Sequence, residues 1–523
     1  MTTTNSHQNI SKVLFIILLT TYLSGCITPD SAESNETHLV IGTADPFFGF
    51  HPWIQSYDVS TLSINHNIFN TLVSLDNYFR IQPELAESWS NPNNLTWRFK
   101  IRHDITFHNG YNLTIDDIKY SFDLILYNDT SVFQDLLINI KEIKIQDNYT
   151  IDIITEKPCP ILLNKLADIF IVSKKYHEED NGKKPVGTGA YKYINYTDKN
   201  ELILESYGNY WNGQPDFTQI TFRLIEDGKS RKDALINHEI DIAESISNMY
   251  YHNLSKTPGI ILKMVTPPTV IYLGFDFREF NSSTFKDEKN PLADIRVRKA
   301  LYHAINPEQI IEETCSDSMF ATPATQFVTP LIFGYNPNIS RLAYNLQRSR
   351  ELLNESGYSN GFDLILDCPQ EYYEHKEICE VIDEQLSKII NISLNEISLT
   401  EFFEKIITRN TSFYIIGWLT ATGDGGEIYD YLIRSPDTES GIGTYNIGYY
   451  SNPNIDRIGE EISYTMNAEE RLNLMQQGFQ IAMDDIVCIP LISPKLIYGI
   501  ADHIDWDPNP GMLLNVEDMK LKI

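Results

Sequence analysis

The chain has 523 residues and a formal net charge of −30, from 71 Asp and Glu against 41 Lys and Arg. The acidity is spread along the whole length and no basic stripe is present to meet phosphate, which argues against a nucleic-acid partner. The length exceeds what one hydrophobic core usually serves, so at least two lobes are expected.

At the amino end a polar stretch with Lys12 precedes an uncharged apolar run, Val13 to Leu23, closed by Leu23-Ser24-Gly25-Cys26. The run is too short to cross a bilayer as a mature helix, and small residues precede the cysteine as at a cleavage site. Residues 1–25 therefore read as a lipoprotein signal peptide, with Cys26 as the lipid-attachment residue. Residues 26–37 read as a flexible tether, and no later stretch is long and apolar enough to span a membrane.

Folding is expected from about His38. Leu95, Trp97, Phe99 and Ile101 alternate with Thr96, Arg98 and Lys100, the period of a half-buried strand, and Asn109-Gly110 suits a tight hairpin turn. Thr114 with Asp117 caps the next helix, whose Ile118, Phe122, Ile125 and Leu126 share a face. Strands follow at Glu201 to Ser206 and Gln219 to Leu224, with a helix through Lys232 to Leu235, so the class is α/β.

Pro267-Pro268 marks a boundary, because two prolines exclude helix and stiffen a crossing strand. Beyond it come a helix started by Asp294 and ended before Pro307, and another from Asn345 closed by Gly357. A strand at Phe362 to Leu366 follows, then helices at Glu374 to Ile389 and Ala468 to Asp484. Between those helices lie the apolar strand Phe413 to Trp418 and the glycine-rich loop Thr422 to Gly426.

Five cysteines follow Cys26: Cys159, Cys315, Cys368, Cys379 and Cys488. The odd number leaves at least one thiol free. Cys368 and Cys379 are the nearest pair, and spacing leaves open whether they form a disulfide or, with His375, share a metal. Asn-x-Ser/Thr triplets, among them Asn94, Asn253, Asn338 and Asn410, permit surface glycosylation. There is no Gly-x-Ser-x-Gly elbow, P-loop or His-Glu-x-x-His helix, so no enzyme activity, cofactor or metal is expected.

Several separated motifs resemble one family in the same order. They are Trp97 to Arg102 leading to Phe107-His108-Asn109-Gly110 and Asp116-Asp117, then Pro185-Val186-Gly187-Thr188-Gly189-Ala190-Tyr191, Tyr210-Trp211-Asn212-Gly213 and Glu239-Ile240-Asp241. Asp294 to Leu301, Gly357 to Phe362, Glu470-Arg471 and Ile489-Pro490-Leu491 complete the series. From Ile41 to Met519 the chain is similar to the extracytoplasmic solute-binding proteins of ABC importers, in the dipeptide, oligopeptide and nickel branch (family 5).

That resemblance implies an α/β, two-lobed fold of the class II periplasmic-binding-protein type, with an extra subdomain in the first lobe and two hinge strands. Lobe I is expected from residues 38–267 plus 495–523, with the inserted subdomain at about 61–184, and lobe II from 268–494. The crossings fall near Pro267 to Gly274 and Pro490 to Tyr498. Gly187 and Gly189 are expected to adopt unusual backbone angles, and Arg296 and Arg298 to fix helix packing.

The implied function is a monomeric binder, anchored by lipid to the outer face of the cytoplasmic membrane, that delivers peptides to ABC permease subunits. A nickel-chelate binder and a ligand-sensing surface lipoprotein are the alternatives. Trp418 is the leading ligand contact, Asp424 the candidate for the ligand's ammonium, and Tyr372 and Tyr373 offer stacking; Asp45 is counted with them. The sequence departs from the dipeptide pattern in two places: Ala421 falls where the ammonium-binding aspartate is expected, and Pro369 to Tyr373 holds no arginine for a ligand carboxylate.

Overall fold

A computed structural model of the protein describes residues 37–51, 58–128, 131–180, 184–197, 200–280, 282–285, 288–315, 317–370 and 375–522. The expectations placed on Cys26, Tyr372 and Tyr373 lie outside these residues. No helix among the described residues is long and apolar enough to cross a membrane.

Two large mixed sheets organise the chain. The seven-stranded sheet runs, edge to edge, Ile260–Val265, Leu496–Ala501, Ile242–Ala243, His38–Thr43, Gln219–Leu224, Glu201–Ser206 and Tyr191–Tyr196. The six-stranded sheet runs Ala321–Pro323, Cys488–Pro494, Thr269–Phe275, Phe413–Leu419, Asp363–Pro369 and Asn391–Ile397. The chain passes from the first sheet to the second through Thr266, Pro267 and Pro268, and returns through Lys495. Pro268 is tied in directly: its carbonyl accepts from the Thr420 amide at 3.0 Å.

A separate four-stranded antiparallel sheet, ordered Ala86–Asn93, Thr96–Ile101, Thr150–Thr155 and Ile140–Asp147, is built from the segment between the first strand of the large sheet and Tyr191. Its alternation is real from Trp97 onward, with Trp97, Phe99 and Ile101 buried and Arg98 and Lys100 exposed. Leu95 lies outside the strand and is exposed. The Asn109-Gly110 turn forms, with Gly110 at φ 86°, but closes on a single bridge, Thr106 to Asn112, rather than a ladder.

Helix ends follow their local chemistry. Thr114 and Asp117 form a reciprocal capping box for Ile115–Leu126, Asn345 caps Leu346–Glu355, and Gly357 follows at φ 92°. Arg298 is buried on Ile295–Ala304 and donates to the carbonyls of Leu292, Ala293, Asp485 and Ile486, so it ties two helices to their neighbours. Gly187 and Gly189 differ from expectation, because neither has a positive φ. They are required instead by close approach: a β-carbon would lie 2.0 Å from the Ile68 carbonyl oxygen at Gly187, and 2.6 Å from that of Asn67 at Gly189.

Apolar residues gather in two main clusters. One packs the seven-stranded sheet with the four-stranded one, through Ile41, Phe99, Phe122, Leu166, Phe222 and Ile500. The other surrounds the six-stranded sheet, through Leu273, Leu301, Leu366, Ile415, Phe479 and Ile489.

Candidate functional site

The strand Phe413–Leu419 pairs antiparallel with Thr269–Phe275, placing Trp418 opposite Val270 beside the Pro267-Pro268 crossing. Its first residues are buried and its last four, Ile416 to Leu419, are only partly so, so the strand emerges from the core at Trp418. There the indole joins two tyrosines: ring centroids are 5.5 Å from Tyr445 and 6.1 Å from Tyr431, and the tyrosines are 6.1 Å apart. Tyr445 is 47% exposed, which leaves one side of this aromatic wall open to a guest.

Tyr431 belongs to a π-helical turn, Tyr429–Ile433, which directly follows the short helix Gly426–Ile428. Such turns re-aim side chains and concentrate at functional sites. Glu427 lies four residues before Tyr431 and reaches under the indole. Its Oε1 accepts from Trp418 Nε1 at 3.0 Å, and its Oε2 accepts from Thr422 Oγ1 at 2.6 Å and from the Thr422 amide at 3.4 Å. Burial pushes the Glu427 carboxyl up to about 7, against the pull of those donors.

The loop beyond Trp418 is gripped from distant parts of the chain. Asn164, on the helix Leu162–Leu166, donates to the Thr422 carbonyl at 2.8 Å. Gly423, at φ 72°, sits against Phe79, where a β-carbon would lie 2.4 Å from Phe79 Cβ. Asp135 and Lys165, from the same part of the chain as Asn164, act electrostatically on Tyr431 and Asp430 respectively.

Asp424 does not stand free as the ammonium acceptor expected from its position. It is 5% exposed, and its carboxylate is held bidentately by Arg471, at 2.5 and 2.8 Å, with a further bond from the Gly426 amide at 2.8 Å. The Asp424–Arg471 pair clamps the glycine loop to the helix Ala468–Asp484, and Gly425 and Phe333 complete it with a backbone bond of 2.8 Å. Asp424 is therefore a structural anchor, and the side chains that shape the wall around Trp418 are Glu427, Thr422, Tyr431 and Tyr445.

Asp45 is exposed on the loop after the strand His38–Thr43 and borders a small pocket, about the size of a water molecule, shared with Phe47, Tyr196 and Leu514. Beside it, the amide of Ala44 donates to the buried Glu244 at 3.2 Å, and burial raises that carboxyl to about 7. Cys368 and Cys379 form a disulfide, which removes both sulfurs from any metal site with His375. Cys159, Cys315 and Cys488 are buried and take no part in a disulfide among the described residues. Among the described residues no group of three or more His, Cys, Asp and Glu side chains is arranged to hold a metal ion.

The residues missed from sequence carry one faint signal. Glu427 and Tyr431 share helical spacing after the glycine loop, but nothing local says that Glu427 turns inward to the indole.

Comparison with known proteins adds an independent line. The model of the family described as bacterial extracellular solute-binding proteins, family 5 middle, matches residues 80–440. Heme-binding protein A of Haemophilus influenzae is 26% identical over 505 residues, covering 89% of this chain and 88% of that protein. A glutathione-binding protein of Salmonella choleraesuis is 23% identical over 504 residues, covering 92% and 94%. The solved ABC transporter-associated periplasmic binding protein from Helicobacter pylori in complex with the peptide STSA superposes with a TM-score of 0.76 at 22% identity, covering 92% of this chain and 98% of that one.

Proposed function

The chain belongs to family 5 of the bacterial extracellular solute-binding proteins, and on that premise we propose that it captures peptides outside the cytoplasm and passes them unaltered to an ABC permease. The observation that carries this reading is the half-open aromatic wall of Trp418, Tyr431 and Tyr445, set beside a loop that a distant helix grips through Asn164. A wall of this kind offers apolar area and polar edges, which suits an extended guest of variable sequence.

In this reading residues 38–267 with 495–523 form one lobe and 268–494 the other. The connections at Thr266 to Pro268 and at Lys495 act as the hinge, in the manner of periplasmic binding proteins, which close around their guests. Two short connections concentrate the bending in a few backbone angles, while the sheets on either side move as bodies. Relatives named for heme, glutathione and a bound peptide are consistent with a common cleft whose lining varies. Lipid attachment at Cys26 would keep the binder at the membrane face near its permease.

Isothermal titration calorimetry with pooled peptides of two to nine residues tests capture, with mass spectrometry of the recovered peptides to show that they are unchanged. One-to-one binding of intact peptide is expected. Binding of glutathione or heme with no peptide bound, or cleavage of the pool, would refute the reading. For the anchor, fatty-acid labelling of the full chain is expected to disappear in Cys26→Ala.

A further inference from the structure

The segment 61–184, inserted into the first lobe in this reading, touches residues of the second lobe at three separate places. Lys157, just after the strand Thr150–Thr155, donates to Tyr464 Oη at 2.8 Å and sits 4.8 Å from the centre of its ring. Close to that pair in sequence, Met466 packs from the second lobe on the apolar cluster of the first. Asn164 donates to the Thr422 carbonyl, and Phe79 lies against Gly423 and packs on the cluster around the six-stranded sheet.

Phe79 is held out for this contact by its own hairpin, which joins Val73–Leu75 to Ile81–Pro83. Its backbone lies in the left-handed region at φ 55°, a cost to any residue but glycine. Asp76 braces the tip: its carboxylate accepts from the amides of Tyr78 and Arg80 at 2.8 and 3.0 Å, and from the Gln82 side chain at 3.0 Å. A residue fixed in advance loses little freedom on contact. Lys157 is exposed, and Phe79, Asn164 and Met466 are only half-buried. So small a joint can part while the core on either side stays intact.

We propose that the inserted segment is a clasp: Phe79, Lys157 and Asn164 hold the second lobe against it, adding the same closing free energy whatever guest is bound, and so set how long the guest stays. This rests on the hinge of the peptide-binding reading. A contact made only in the closed arrangement shifts the balance between open and closed by its own strength, without help from the guest's side chains. It therefore lowers every off-rate by one common factor and leaves the on-rate, set before the lobes meet, as it was.

The test uses the full chain with nitroxide labels at two exposed sites, Asn148→Cys on the inserted segment and Asn473→Cys on the second lobe. Pulsed electron resonance reads the distance between them, and stopped-flow fluorescence reads the release of labelled peptides of several sequences. Phe79→Ala with Lys157→Met is expected to raise every release rate by about five- to tenfold, alike among guests to within about threefold, with on-rates within about twofold. A minor short-distance population seen without peptide should shrink in that variant. If the double variant does not fold, Tyr464→Phe, which removes one hydroxyl, and Asp76→Ala, which unties the hairpin tip, give the same readouts.

Unchanged release rates in a folded variant would mean a permanent joint that never parts, and overturn the inference. So do factors that differ by about tenfold between guests, which would make these residues guest contacts, or guest-free distances that do not change. Where no peptide binds at all, the peptide reading fails, and the guest-free distances alone decide the clasp.

Discussion

Glu427 shows how one buried side chain sets a measurable pH dependence. Its carboxyl titrates at about 7 when folded and near 4.5 when unfolded, because burial disfavours the anion. Between those values the folded protein holds more protons than the unfolded one. The stability this group contributes is complete below the unfolded value and is lost as pH rises through the folded one. At about 1.4 kcal/mol per unit of difference, the loss is on the order of 3 kcal/mol. Glu427→Gln should therefore reduce the stability difference between pH 5 and pH 8 by roughly that amount in equilibrium urea unfolding; an unchanged difference would mean that the carboxyl is not protonated near neutrality. Asp424 makes the opposite case. Asp424→Asn leaves Arg471 buried beside a neutral amide, and a loss of about 3–5 kcal/mol is expected, read as a lowered Tm. A variant of wild-type stability that no longer binds peptide would instead return Asp424 to the ligand.

At the scale of elements, the glycine loop and the disulfide each tie one element to another. Gly423→Ala places a methyl group against Phe79 at a backbone angle that alanine resists. The loop is expected to retreat from Phe79 and Asn164, and peptide off-rates measured by surface plasmon resonance should rise several-fold with little change in Tm. Cys368–Cys379 joins the strand Asp363–Pro369 to the helix His375–Leu386 across a sequence separation of 11. Closing so short a loop stabilises by about 3 kcal/mol in the chain-entropy account. Cys368→Ser with Cys379→Ser should lower stability by roughly that much in calorimetry, and equal Tm values would show that the link carries no such weight. The cap at Thr114, the helix Ala468–Asp484 and the alternation of Trp97, Phe99 and Ile101 were legible in sequence, because each depends on neighbours within a turn or a strand.

For the whole molecule, a net charge of −30 means that like charges repel across the folded surface. Raising salt from 0.1 to 1 M shortens the screening length from about 10 to about 3 Å, so Tm should climb with sodium chloride before any specific ion effect; a flat or falling Tm would locate the repulsion elsewhere. By itself the sequence determined the class and several of its strands and capped helices, since periodicity, caps and breakers act over a few residues. Trp418 was singled out only by the resemblance to the family, and the structure places it at the open end of an apolar strand. Only the tertiary structure decided which carboxylates remain available, because those pairings join distant residues: Asp424 with Arg471, 47 positions apart, and Asn164 with Thr422, 258 apart. A charge is free or spent according to what the fold brings within about 3 Å of it, and no local pattern carries that distance.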